Sequence, residues 1–273
     1  MVLDAKALKR TLGEGRVAIG TWVFEFDTPG IARLVASAGA DFVVFDMEHS
    51  GFGMDSIRSL VSQSRAVDLT VLVRPAAGEY HLIAPLLDLG AGGVIVPKVE
   101  TAAEARRVAD SCRYYPEGHR GAAFSIAHDD FRSGEPAAKM KAANEAVVCC
   151  LLIETATGVE NIEEILSVPG VDLIWFGFLD LSLSMGIPGE FTHPDFKAAI
   201  ARILRACEAH GTPCGILADK PGGALERIRQ GFHCISYSGD LWLFQRALSE
   251  GIQSIRRGLA EPQSDAGRSA DGS

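Results

Sequence analysis

Two spacings of apolar residues alternate along this chain. Residues three and four apart, such as Ile31, Leu34, Val35 and Ala38, or Met54, Ile57, Leu60 and Val61, mark amphipathic helices. Short unbroken apolar runs rich in β-branched residues, such as Phe42 to Phe45, mark strands covered on both faces. On this reading strands are predicted over 16–23, 40–46, 70–73, 93–96, 146–153, 171–176, 213–217 and 233–237. Helices are predicted over 31–38, from Met54 through Val61, and over 81–89, 101–109, 137–144, 159–166, 195–209, 222–229 and 241–257, after a short lead-in helix over 4–12.

Local signals support several of these boundaries. Pro29 stands where a first-turn proline is tolerated, Gly39 ends the helix that follows it, and Glu104 is placed to complete a capping box. The stretch from Tyr114 to Pro136 breaks the rhythm with Pro116, Gly118, Gly121 and Gly134, and makes the longest irregular connection. Long connections in compact domains are usually functional. Eight strands alternating with helices predict an α/β fold, a (β/α)8 TIM barrel formed as a single domain by residues 1–260. No GxGxxG or P-loop pattern competes with that reading. Residues 261–273, rich in Ser, Gly and Asp, are expected to form a disordered tail.

Composition narrows the partners. A net charge of -9 spread along 273 residues, without a basic run, gives no source for counterion release, so nucleic acid is not expected. The charged opening MVLDAKALKR lacks the apolar core of a signal peptide, and no apolar stretch is long enough to span a bilayer. A soluble cytoplasmic protein with no membrane partner is expected. The six cysteines include no CxxC pair, so neither a zinc site nor a disulfide framework is indicated.

In a (β/α)8 barrel the chemistry lies at the C-terminal ends of the strands, which gives weight to Trp22, His49, Arg74, Glu154 and Asp180. Asp46-Met47-Glu48-His49 emerges abruptly from a buried strand, a costly arrangement unless charge is handled there; a solvated loop with a hydrogen-bonded histidine is the plain alternative. Glu154 and Asp180 offer the two-carboxylate, oxygen-rich set that suits Mg²⁺, Mn²⁺ or a similar divalent ion, although each alone is also a fitting helix cap or ion-pair partner. His49 is a candidate general base, and Arg74 a candidate holder of a carboxylate or enolate, or else half of an ion pair closing the barrel top. Asp88 is a candidate for orienting His49, or for a helix-end hydrogen bond. Lys98 is weighed as a Schiff-base amine, with Glu100 nearby favouring a structural role.

The motifs FDMEH, VRP, LLDLGAGGVIVP, RYYPEGHRG, IET and GFLDLSLSMG, in this order and at these strand ends, make the chain resemble the HpcH/HpaI aldolase family over about residues 18–252. These metal-dependent class II pyruvate aldolases include 4-hydroxy-2-oxoheptanedioate aldolase and 2-dehydro-3-deoxyglucarate aldolase. The resemblance implies a carbon-carbon lyase that splits a 4-hydroxy-2-oxo acid into pyruvate and an aldehyde through a metal-stabilised enolate. It implies Glu154 and Asp180 as ligands of a divalent ion (Mg²⁺, Mn²⁺ or Co²⁺), His49 as base, Asp88 as its orienting partner and Arg74 as enolate stabiliser. Backbone amides of Leu179 and Asp180 would receive the pyruvate carboxylate, and Trp22 and Arg120 would line the site. It also implies a homo-oligomer, a hexamer built as a trimer of dimers. The chain departs from the family pattern where Leu152 replaces a glutamine and where GFLDL, with Phe178 and Leu179, replaces GPADL or GPNDL. These changes leave the proposed ligands intact but enlarge the apolar wall. The rival readings are a metal-enolate decarboxylase or lyase acting on oxaloacetate-like or acyl-CoA substrates, and a non-catalytic barrel that binds a small acid.

Overall fold

In the computed structural model, which describes residues 5–260, eight parallel strands close into a barrel in simple sequential order, β1 through β8. They are β1 (Ala18–Val23), β2 (Phe42–Asp46), β3 (Thr70–Arg74), β4 (Gly93–Val96), β5 (Val148–Ile153), β6 (Leu173–Phe176), β7 (Cys214–Ala218) and β8 (Cys234–Gly239). Helix α1 (Ala5–Gly13) leads into the barrel. It is followed by α2 (Ile31–Ser37), α3 (Met54–Arg65), α4 (Tyr80–Asp88), α5 (Ala102–Cys112), α6 (Pro136–Ala146), α7 (Ala156–Glu160), α8 (Ile162–Leu166), α9 (Phe178–Ser184), α10 (Pro194–His210), α11 (Pro221–Arg229) and α12 (Asp240–Ala260). The predicted (β/α)8 barrel is the observed fold.

The period-2 alternation of the strands divides the apolar residues into two cores. Phe42 and Val44 pack inside the barrel with Leu72, Ile95, Cys150, Leu152, Leu173 and Trp175. Val43 and Phe45, one residue out of phase, pack outward against Ile57, Leu60 and Val61 of α3. Leu8 and Leu12 of α1 join the inner core, and Lys9 reaches Asp172 at 2.8 Å and the carbonyl of Val147, so α1 closes the strand-entry end of the barrel. The opposite, strand-exit end is left free for polar side chains.

Two segments depart from the predicted elements, and the long connection agrees with them. The helix expected over 159–166 is two short helices, α7 and α8, meeting at Asn161, whose side-chain amide donates to the Glu100 carbonyl at 2.9 Å. The run after the sixth strand, for which no element was predicted, forms α9 from Phe178. The stretch from 113 to 135 is irregular as expected, contains a single 3-10 turn, Ala127–Asp129, and is tied down locally. Tyr114 and Asn144 exchange two hydrogen bonds of 2.8 and 2.9 Å, Lys139 pairs with Asp129 at 2.6 Å, and Arg65 pairs with Asp130. The capping box on α5 is formed by Thr101 and Glu104. Asp4 and the tail over 261–273 lie outside the described residues. Among the described residues no helix is long and apolar enough to cross a membrane.

Candidate active site

Parity along the strands places the chemistry. Inward positions on β2 are Phe42, Val44 and then Asp46; on β3, Leu72 and then Arg74; on β5, Val148, Cys150, Leu152 and, just past the strand, Glu154. At the strand-exit end the apolar interior therefore gives way to charge. A cavity of about 470 Å³ opens there, lined by residues that include Trp22, His49, Arg74, Leu152, Glu154, Phe178, Leu179 and Asp180.

Asp46 is the fixed point of this end. Its Cα is paired with that of Arg74 in the strand register, and its carboxylate, 0% exposed, accepts Arg74 Nε at 2.7 Å and Nη2 at 2.8 Å. The same two oxygens accept the backbone N–H groups of Glu48 at 3.0 Å and His49 at 3.1 Å. Ser50 Oγ donates to the Asp46 carbonyl. A bidentate, four-donor carboxylate thus holds the guanidinium and shapes the turn that carries His49.

Arg74 extends from this anchor to lie 3.1 Å from Glu48 Oε2 and 4.6 Å over the Trp22 ring. Burial lowers its pKa, but Asp46, Glu48 and Glu154 raise it above its ordinary value, so it is a permanent cation. His49 is at the open side of the cavity, its side chain 58% exposed, with Nε2 3.8 Å from Glu48 Oε2.

Glu154 is 2% exposed and one of its oxygens accepts the backbone N–H of Lys98 at 2.9 Å. Lys98 itself is left-handed, with φ of 54°. The opposite side is closed by Gly177: a Cβ there would stand 2.6 Å from Glu154 Cβ and 2.7 Å from Oε2. Burial raises the Glu154 pKa to about 7; the Lys98 hydrogen bond lowers it, Glu48 and Asp180 raise it, and Arg74 lowers it. A buried carboxylate crowded by two further carboxylates is a site short of positive charge, which is what a divalent cation supplies. The residues fit such an ion: Glu154 and Asp180 both line the cavity, and two carboxylates with open space match a cation that keeps several waters. Among the described residues no group of three or more His, Cys, Asp or Glu gathers into a closed cage.

Of the residues singled out in the sequence, Trp22, His49, Arg74, Glu154, Leu179 and Asp180 come together around this cavity. Asp88 and Arg120 do not. Asp88 closes α4 shortly before β4 begins, so it lies toward the strand-entry end, whereas His49 follows the exit of β2. Its carboxylate accepts Arg120 Nη2 at 2.6 Å, and Arg120 stacks on Tyr114 at 4.7 Å instead of lining the cavity. The expectation that Asp88 orients His49 is therefore not met within this chain, and Glu48 is the acid beside His49. Lys98 is exposed and borders a separate cleft with Arg107 and Asp110, so it contributes its backbone and not an amine to the site. The sequence marked Asp46 as part of the charged cluster after β2 but gave it no role, and did not single out Phe24, Leu217 and Trp242 of the cavity wall. Inward parity was the available signal for Asp46.

Comparison with known proteins places the chain and its fold. The sequence model of the HpcH/HpaI aldolase/citrate lyase family matches residues 19–247. A 2-keto-3-deoxy-L-rhamnonate aldolase from Klebsiella pneumoniae is 32% identical over 264 residues, covering 96% of this chain and 97% of that protein. The crystal structure of an HpcH/HpaI aldolase from Desulfitobacterium hafniense superposes with a TM-score of 0.88 at 30% identity, covering 94% of this chain and 98% of that one. An HpcH/HpaI aldolase/citrate lyase family protein from Burkholderia cenocepacia superposes with a TM-score of 0.86 at 30% identity, covering 92% and 99%.

Proposed function

The chain belongs to the HpcH/HpaI aldolase/citrate lyase family, and from that premise we propose that it reversibly cleaves a 4-hydroxy-2-oxo acid into pyruvate and an aldehyde at the cavity around Arg74 and Glu154. The observation that carries this reading is the pairing of a buried, charge-starved Glu154 with a permanently cationic Arg74 at one mouth of the barrel. The aldolase names of relatives such as the Klebsiella protein support the reaction class.

Glu154 and Asp180 would hold a divalent cation, Mg²⁺ or Mn²⁺ in this reading. Bound there, the ion supplies a Lewis acid for the oxygens of a 2-oxo acid. The chain's own residues do the rest. His49, exposed at the cavity mouth beside Glu48, takes the proton of the 4-hydroxyl. The C3–C4 bond breaks, C4 leaves as the aldehyde carbon, and the electron pair passes into the C2–C3 enolate. Arg74, held rigid by Asp46, faces the enolate oxygen as negative charge develops. Return of a proton to C3 gives pyruvate. Trp22 lies against the face of the guanidinium and shields it from water. In this reading Leu179 and Asp180 also lie against the pyruvate carboxylate.

The test is deuterium exchange into the methyl group of pyruvate, with metal-stripped and Mn²⁺-loaded protein and with Glu154→Ala as control. Metal-dependent exchange lost in the variant is expected; exchange that persists after complete metal removal would sink the reading. The same reading includes a homo-oligomer, supported by the exposed Phe244, Leu248, Ile252 and Ile255 of α12, and light scattering of the purified protein tests it.

A further inference from the structure

The cavity lining is of two kinds. Arg74, Glu154, Asp180 and His49 are its polar groups, and Phe24, Leu217, Leu241, Trp242, Leu152 and Trp175 make its apolar wall. This wall is built and held. The rings run in contact: Trp175 to Trp22 at 5.7 Å, Trp22 stacked on Phe24 at 5.5 Å, and Phe24 against Trp242 at 5.1 Å.

Two elements carry Phe24 and Trp242, the segment after β1 and the start of α12, and one carboxylate locks them together. Asp240, 7% exposed, accepts the backbone N–H groups of Phe24 at 2.9 Å, Glu25 at 3.0 Å and Phe26 at 2.8 Å, and that of Leu241 at 2.8 Å. Gly239 lets the rings close: a Cβ there would stand 2.9 Å from both Phe24 Cε2 and Trp242 Cε3. Such a wall is preorganised for a flat or branched apolar group, because no side chain must be ordered on binding.

It is equally unsuited to other groups. Trp22 Nε1 is buried without a hydrogen-bond partner, and the charged residue on that side, Glu25, is an exposed carboxylate that repels an anion. A hydroxyl set against this wall loses its water without a replacement partner, a loss of roughly 10-fold or more in binding. Resting on the pyruvate reading of the same site, we propose that the aldehyde partner is uncharged and apolar, aromatic or branched-alkyl, and that its side chain lies on the Phe24–Trp242 wall. Phe24 and Trp242 are then specificity-determining residues.

The experiment uses the full-length Mn²⁺-loaded protein and compares kcat/KM for addition of pyruvate to benzaldehyde, 3-methylbutanal, glyceraldehyde and succinic semialdehyde. Each run is accompanied by pyruvate methyl exchange in the wild type without aldehyde. The inference expects benzaldehyde and 3-methylbutanal to exceed the hydroxylated and carboxylated aldehydes by about 10-fold or more. Trp242→Ala is expected to reduce that ratio, and Trp242→Phe to preserve it. Exchange accompanied by a preference for glyceraldehyde or succinic semialdehyde, or by a ratio that Trp242→Ala leaves unmoved, overturns the inference while the pyruvate reading stands. Absence of exchange overturns the pyruvate reading and the inference with it.

Discussion

Adding one methyl group at Gly177 tests the geometry of the site most directly. The backbone there has φ of -92° and ψ of 89°, so Ala at this position meets no left-handed strain and the effect is one of space alone. Its Cβ would stand 2.6 Å from Glu154 Cβ, about 0.8 Å short of ordinary van der Waals contact, and 2.7 Å from Glu154 Oε2, with Leu152 Cδ1 at 3.2 Å behind. The clash falls on the root of the Glu154 side chain, which cannot swing away as a flexible end would. Ligating groups tolerate displacements of about 0.5 Å, so in the proposed metal site Glu154 would be moved out of register with Asp180. Gly177→Ala should therefore weaken Mn²⁺ binding and lower pyruvate exchange by roughly 100-fold, with an overpacking cost to stability of about 1–3 kcal/mol. Mn²⁺ titration by electron paramagnetic resonance, run beside urea unfolding, separates the two effects. Wild-type Mn²⁺ affinity in a folded variant would refute the placement of Glu154 against Gly177.

Other substitutions probe the remaining parts. Asp46→Ala leaves the buried Arg74 with Glu48 as its remaining ion-pair partner and without its bidentate one, and is expected to destabilise by about 3 kcal/mol in chemical denaturation; a loss under about 1 kcal/mol would contradict the four-donor arrangement. In metal-free protein Glu154 has its folded pKa raised from 4.5 to about 7, so the folded state holds more protons across that window. Its ionisation therefore costs stability, which should fall as pH rises from 4.5 to 7. The contribution disappears in Glu154→Gln, and identical pH profiles for the two proteins would show that Glu154 titrates normally. Thr101→Ala, which breaks the capping box on α5, is expected to cost about 1 kcal/mol by thermal unfolding. Gly251→Ala, in the exposed middle of α12 with open space at the Cβ position, should gain about 0.5–1 kcal/mol, and a loss would indicate that this face is covered.

What could be read from the chain alone follows from periodicity and strand ends. Unbroken apolar runs can only be buried on both faces, so eight of them alternating with amphipathic helices determined a closed parallel barrel, and the residues at their exits nominated Trp22, His49, Arg74, Glu154 and Asp180. Parity determined which of these point inward. Tertiary structure decided the rest, because its causes are distances between segments remote in sequence. The register that sets Asp46 beside Arg74 depends on how β2 slides against β3, and the sites of Asp88 and Arg120 depend on where α4 ends relative to the barrel. The run FLDLSLS carries a strand-like pattern yet folds as α9, since the chain must leave the barrel once β6 ends and return through α10. The aromatic wall is the clearest case: Phe24 and Trp242 lie more than two hundred residues apart, and only closure of β8 against β1, with Asp240 gathering the backbone N–H groups on both sides, brings their rings into contact.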